Sequence, residues 1–148
     1  DYNYISNFLN PDNTLDFEKI LLKFQEFMKA QYSKKDKGFL EKDGRLVFLA
    51  FLKPIINGKG YDFKEVQISE EKRLDVVVTY ADKKYVVELK KWYNPAYHQK
   101  GIKQLEGYLE RQNLQKGYLL IFDFDAEKKN WKQERITSGG KDIFAVWV

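Results

Sequence analysis

Two neighbouring apolar stretches carry charged residues where a buried strand would have Val or Ile: Arg73-Leu74-Asp75-Val76-Val77-Val78 and Val86-Val87-Glu88-Leu89-Lys90. Burying an unpaired charge costs several kcal/mol or more, so charges in such settings are paired or bind a metal. Side chains alternate faces along a strand, which puts Glu88 and Lys90 on one face. With Tyr80 paired to Tyr85 around an Ala81–Lys84 turn, Asp75 falls opposite Lys90 and Glu88 lies diagonally across from Asp75. Directly opposed partners have Cβ atoms about 4.5–5.5 Å apart and diagonal ones about 7–8 Å, so a single hairpin brings all three groups within reach of one ion. A slip of one residue would separate them. Two carboxylates at this separation can share a divalent cation, which polarises a phosphate and acidifies a bound water. A lysine beside them offsets charge developing on phosphorus and helps position or deprotonate the water. These are the parts that phosphodiester hydrolysis needs. The competing reading is a cross-strand salt bridge between Asp75 and Lys90, with Glu88 paired to another base. The apolar flanks weigh against it, because they take the charges off a solvated face.

Composition narrows the chemistry. The chain has 148 residues, 43% hydrophobic and 16% aromatic, enough for one folded domain with a real core. There is no cysteine, which excludes disulfides and thiolate metal sites, and His98 is the sole histidine, which excludes a multi-histidine zinc site. A metal here is held mainly by oxygen, which points to magnesium or manganese. The net charge of +4 permits nucleic-acid binding without demanding it. The longest apolar run, Leu46 to Leu52, is too short to span a bilayer, and no signal peptide is visible. The expected location is therefore the cytoplasm, with no membrane partner. The chain begins at Asp1 and reads as a piece of a longer polypeptide.

These groups need a scaffold. Tyr2 to Asn10 reads as a lead-in, and Pro11-Asp12-Asn13-Thr14 has turn and N-cap chemistry. Phe17, Ile20, Leu21, Phe24, Phe27 and Met28 recur at helical spacing over Leu15–Tyr32. A second helix is expected from Phe39 to about Ile56, ended by Asn57-Gly58-Lys59-Gly60. Strands are expected at Phe63–Ile68, Arg73–Tyr80 and Lys84–Lys90. After the break at Tyr93-Asn94-Pro95, a helix spans roughly Tyr97 to Gln112. Tyr118–Phe124 reads as a strand buried on both faces. Trp131–Ile136 and Ile143–Val148 form a final hairpin around Ser138-Gly139-Gly140. The order gives an α/β fold: a mixed central β-sheet flanked by α-helices, with an N-terminal helical segment.

Asp75 followed by Glu88-Leu89-Lys90 resembles the PD-(D/E)XK nuclease signature, without its leading proline. The resemblance extends through Gly44-Arg45-Leu46-Val47-Phe48-Leu49-Ala50-Phe51-Leu52, Ile55-Ile56-Asn57-Gly58, Arg73-Leu74-Asp75, Gly101-Ile102-Lys103-Gln104-Leu105-Glu106-Gly107-Tyr108-Leu109 and Gly117-Tyr118-Leu119-Leu120-Ile121-Phe122-Asp123. In order and spacing these are similar to the C-terminal nuclease-like domain of bacterial AAA-family ATPase-like proteins, from about Leu9 onward. The resemblance implies a restriction-endonuclease-like fold, as one domain over 1–148 with a helical extension at 1–37 and a core at 38–148. It also implies Mg2+ or Mn2+ as cofactor. Nucleic acid is the expected partner, DNA ahead of RNA, with an ATPase domain of the parent chain as a second partner and an oligomer as an open possibility.

By the same resemblance, Glu41 is a further metal ligand or water-positioning group, and Gln104 orients the phosphate or the lysine. Taken by themselves these residues also fit blander roles, Glu41 as a charge at a helix N-terminus and Gln104 as a buried amide. Tyr97, Gly101, Gln104 and Tyr108 share one helical face. Tyr108 is placed near the site, with core packing as its alternative. Lys83, Lys84, Lys91, Lys100 and Lys103 could form a phosphate-binding rim with Trp92 and Tyr93 as stacking surfaces, or simply a solvated face. His98 reads as a surface histidine at a helix start, and Asp123 and Asp125 as turn residues. No ATP-binding loop occurs in the chain. Two functions stay open: a metal-dependent nuclease acting through Asp75, Glu88 and Lys90 with Glu41 and Gln104 in support, and a non-catalytic domain of the same fold that binds nucleic acid or partner domains and modulates an attached AAA-type ATPase.

Overall fold

Apolar periodicity sets the first helices. In the computed structural model, residues 4–32, 37–56, 62–67, 74–125 and 130–148 are described, with the backbone alone at 4–5, 37–42, 62–67 and 74–75. A 3-10 turn (Tyr4–Phe8) leads to α1 (Phe17–Tyr32), whose first turn is capped by Asp16 Oδ1 accepting from the Lys19 backbone N–H at 3.1 Å. Phe17, Ile20, Leu21, Phe24 and Met28 fall on one stripe of α1 and are buried. Helix α2 (Lys37–Ile56) is broken at Asp43, whose backbone leaves the helical region at φ −124°, ψ 25°. Its C-terminal part buries Phe48, Leu52, Ile55 and Ile56 beside the α1 stripe. The expected terminator Asn57–Gly60 lies outside the described residues.

Strands β1 (Asp62–Gln67), β2 (Leu74–Tyr80) and β3 (Lys83–Lys91) form an antiparallel meander. Helix α3 (Pro95–Arg111) then crosses over to β4 (Lys116–Phe122), parallel to β3, and the hairpin β5 (Gln133–Ser138) and β6 (Lys141–Trp147) completes a six-stranded sheet in the order β1-β2-β3-β4-β6-β5. The expected α/β sheet with helices on both faces is what forms. Helices α1 and α2 cover one face, packing on Val76, Val78, Val87, Leu120 and Val146. Helix α3 covers the other, packing on Val86, Leu119, Ile121, Ala145 and Trp147. No helix among the described residues is long and apolar enough to cross a membrane.

The hairpin register differs from the sequence expectation. Tyr80 pairs with Lys83, not Tyr85, and Asp75 pairs with Glu88, not Lys90. The turn is shorter because Ala81 (φ 51°) and Asp82 (φ 64°) both enter the left-handed region. Two consecutive left-handed residues make the tight turn whose twist matches the flanking strands. The displacement is two residues, so side-chain faces are unchanged: Asp75, Glu88 and Lys90 still belong to one face, the one under α3.

Both ends of α3 are anchored. Asn94 Oδ1 accepts from the Tyr97 N–H at 2.8 Å, with Pro95 opening the helix. At the far end Asn113 is left-handed (φ 56°) and the Leu114 N–H reaches the Leu109 carbonyl at 2.9 Å, a Schellman-type stop. Ser138 donates to Glu106, and Lys141 Nζ lies 3.1 Å from Glu110 Oε2, tying the helix to the β5–β6 turn.

Two outcomes are expected. Ala81→Gly stabilises the fold by about 0.5–1 kcal/mol in urea unfolding, because a left-handed residue with a Cβ costs more than the extra freedom of glycine. The Ser138 hydroxyl, and after it Lys103, holds the Glu106 carboxyl below the usual carboxylate range. Its stabilisation is therefore present above the unfolded glutamate value and fades as pH falls through the folded one. Ser138→Ala should lower Tm at neutral pH and flatten its fall on the acid side, the two profiles converging at low pH where Glu106 is protonated in both proteins.

Candidate active site

The site is assembled where β2 begins, β3 ends and α3 starts, at the carboxyl ends of the parallel strands β3 and β4. Ligand sites of open α/β sheets favour such edges. Glu88 is held here by sequence alternation: Val87 and Leu89 are claimed by the α1–α2 core, so Glu88 must face α3. It is only 1% exposed. Directly across the ladder stands Asp75, and in the parallel direction Leu119. Like charges directly opposed on a ladder destabilise it, so the pair calls for a positive charge between or beside them. The contacts of the Asp75 side chain lie outside the described residues.

Lys90 follows two residues on, half-buried, with Ile121 beside it on β4. Its Nζ sits 4.1 Å from the centroid of the Tyr97 ring and 3.5 Å from the Tyr97 carbonyl oxygen, in the first turn of α3. The lysine stem passes over Gly101. A Cβ built there would meet Lys90 Nζ, and would stand 2.9 Å from Cε and 3.1 Å from Cδ. Gly101 is thus the gap in α3 through which the lysine runs.

Helix α2 reaches the same end of the sheet from the other face. Gly44 lies so close to the last residue of β4 that an added Cβ would be 2.7 Å from the Phe122 ring. Glu41 stands one turn earlier, before the break at Asp43, and its side-chain contacts lie outside the described residues. Among the described residues no cluster of three or more carboxylate or histidine groups forms, and two of the three expected ligands, Asp75 and Glu41, are not in that set. The donors on hand are hard oxygens. No cysteine exists, and His98 is engaged elsewhere, its Nε2 3.2 Å from Glu134 Oε1. That set fits Mg2+ or Mn2+ and not a soft cation.

The remaining predicted residues divide. Gln104 is half-buried on the α3 face that carries Gly101, and Tyr108 packs partly against the core beneath that helix. Lys100 is exposed on α3, and Lys91 is exposed on the opposite face of β3 from Glu88, its Nζ 5.8 Å from the centroid of the Phe124 ring. Lys103 is exposed and pairs with Glu106 at 3.2 Å, while Lys83 and Lys84 lie at the opposite end of β3 and do not join the rim. Trp92 is not an open stacking surface: its ring meets His98 at 5.4 Å and Trp147 at 6.1 Å. Tyr93 is the open ring, 62% exposed and edge-on to Tyr97 at 4.9 Å. His98, expected at the surface, is 8% exposed, because α3 lays it on Trp147. Asp123 serves as a turn residue, as expected: its Oδ1 accepts from the Asp125 N–H at 3.1 Å and its Oδ2 from Asn130 Nδ2 at 2.9 Å. Sequence reasoning gave no role to Tyr97 and placed Gly101 only on a helical face. The available signal was a glycine inside an otherwise well-formed helix, which usually marks a close approach.

A family model described as restriction endonuclease fold toxin 9 matches residues 28–134, well over half of the chain, a span that contains Glu41, Asp75, Glu88, Lys90 and Gln104. No curated protein and no solved structure matches the chain. The mixed sheet, its crossover helix and this match make the fold restriction-endonuclease-like.

The seat of Lys90 yields a double-mutant test. Gly101→Ala should destabilise by about 1–3 kcal/mol through overpacking. In a Lys90→Ala background the same change should be neutral or stabilising by up to about 1 kcal/mol, since the clash is gone and alanine favours the helix. Chemical denaturation of the four proteins measures the coupling. Equal costs in both backgrounds would show that Lys90 does not occupy the gap.

Proposed function

Because the chain belongs to the restriction endonuclease fold toxin 9 family, we propose that it is a toxin nuclease that hydrolyses phosphodiester bonds of nucleic acid with a divalent cation, DNA being the first substrate to test. The observation that carries this reading is the buried Glu88 directly opposite Asp75 and two residues before Lys90 on the same face. Asp75 and Glu88 would hold the cation, with Glu41 as a third oxygen donor from α2. When bound, Mg2+ or Mn2+ polarises a phosphate and acidifies a water molecule.

The chain's own residues do the rest. Glu88 is fixed by a buried strand, so it need not reorganise as charge develops. Lys90 offers its ammonium to the non-bridging phosphate oxygens, where negative charge grows towards the transition state, and orders the attacking water. Gln104, one helical turn beyond Gly101, is suited to orienting the phosphate. Lys100 supplies exposed positive charge to the backbone of the substrate.

The expected results are concrete. Plasmid, single-stranded DNA and RNA are incubated with the protein in Mg2+ or Mn2+. Cleavage should require the metal and fall by about 10²–10³ in Lys90→Ala, the loss typical of removing one group that stabilises transition-state charge. Saturating metal should raise the Tm of the wild type and of Lys90→Ala, by the equivalent of about 2.7 kcal/mol at one hundred times Kd. It should not raise that of Glu88→Gln. Folded wild-type protein that cleaves none of the three substrates would overturn the nuclease reading and favour a non-catalytic binding domain.

A further inference from the structure

Lysine is a poor catalytic group unless something holds it. Its four-carbon stem carries high rotamer entropy, and an unrestrained amine samples many positions that do no chemistry. In this protein three separate features restrain Lys90. The Tyr97 ring presents a π face with the amine 4.1 Å from its centroid, well inside the range of a cation–π contact. The Tyr97 carbonyl oxygen lies 3.5 Å from the same nitrogen. Gly101, one turn later, leaves the stem room to cross the helix.

Tyr97 is itself held on two sides. Its backbone N–H is fixed by the Asn94 cap at 2.8 Å, and its ring meets the Tyr93 ring edge-on, 4.9 Å apart at 84°. A ring pinned by the cap of its own helix and by its neighbour is a rigid platform, and the lysine lying on it inherits that rigidity. Preorganisation of this kind raises turnover without changing ground-state binding, because the amine then needs no reorganisation as phosphate charge develops.

We propose that Tyr97 is a positioning residue for Lys90, its ring face and carbonyl holding the amine on the Asp75–Glu88 side of the sheet. This rests on the nuclease reading above. Tyr97 touches neither metal nor phosphate in this role. The ring is what matters, and the hydroxyl is dispensable.

The test uses the full chain with Mn2+ or Mg2+ at saturation and the cleaved substrate as probe. Tyr97→Phe keeps the ring and should retain kcat within about twofold, whereas Tyr97→Leu should lose about 10- to 100-fold in kcat, as a misplacement near 1 Å can cost. KM and the metal-induced rise in Tm should be unchanged in both. Where Tyr97→Leu compromises folding, Tyr97→Met serves instead. An independent readout is the NMR signal of the Lys90 ε-methylene, expected upfield from the ring current in wild type and Tyr97→Phe and relaxed in Tyr97→Leu. A wild type that cleaves, with Tyr97→Leu equally active or slowed only through KM, overturns the positioning role alone. An unshifted ε-methylene in the wild type also overturns it. A wild type that cleaves nothing overturns the nuclease reading and this role together.

Discussion

A carboxylate that is 1% exposed and directly opposed to a second acidic residue is the constraint around which the rest of this sheet is arranged. Val87 and Leu89 cannot leave the α1–α2 core without exposing themselves, so Glu88 has no route to solvent by rotating its strand. The arrangement persists because the rest of the hairpin over-determines it. A tight turn through Ala81 and Asp82 sets the register, and the apolar ladder of Val76, Val77 and Val78 against Val87, Val86 and Tyr85 locks it. Sites that store unfavourable electrostatics within a rigid frame are where function is usually found. A buried carboxylate facing a second acidic residue is a setting that suits a hard divalent cation.

Helix α3 turns that ladder into a site. Its start is set by Asn94 and Pro95, and its first turn supplies Tyr97 under the Lys90 amine. Its second turn supplies the gap at Gly101. The same first turn lays His98 onto Trp92 and Trp147, and Lys132 caps the Trp147 ring from the other side at 4.4 Å. This aromatic cluster joins the first turn of α3 to β6 and so helps fix where the helix sits on the sheet. Each of these contacts depends on the depth of the helix over β3, β4 and β6. A small shift of α3 would disturb them all together.

The opposite face is joined to the same end of the sheet by one buried amide. Gln25 of α1 donates to the Trp147 carbonyl at 2.8 Å and to the Lys132 carbonyl at 3.2 Å, and it accepts from Gln133 Nε2 at 2.6 Å. Those backbone groups sit just where β6 ends and β5 begins; the Lys132 carbonyl also accepts from the Trp147 N–H at 2.9 Å, so Gln25 adds a second bond there and supplies the donor for the Trp147 carbonyl. The aromatic cluster under α3 and the helix α1 are thereby held to a common strand end. Phe17, Ile20, Leu21 and Phe24 of α1 lie in the same core as Val87 and Leu120.

The local elements and the kinds of chemistry they carry were legible in the order of residues alone. Apolar periods placed α1, α2, α3 and all six strands close to where they form, because amphipathic spacing depends on the chain's own neighbours. Alternation alone put Glu88 and Lys90 on one face, and that survived a register error of two residues because the strand period is two. The oxygen-only donor set followed from the absence of cysteine and the single histidine. What only the tertiary structure decided were the contacts between segments far apart in the chain. The register depended on Ala81 accepting a left-handed backbone, which its residue type does not announce. The burial of His98 depended on Trp147 arriving beneath it from the last strand. The seat of Lys90 on Tyr97 and Gly101 depended on how deeply α3 docks. Each is set by packing among several elements at once, a quantity that no local pattern of residues encodes.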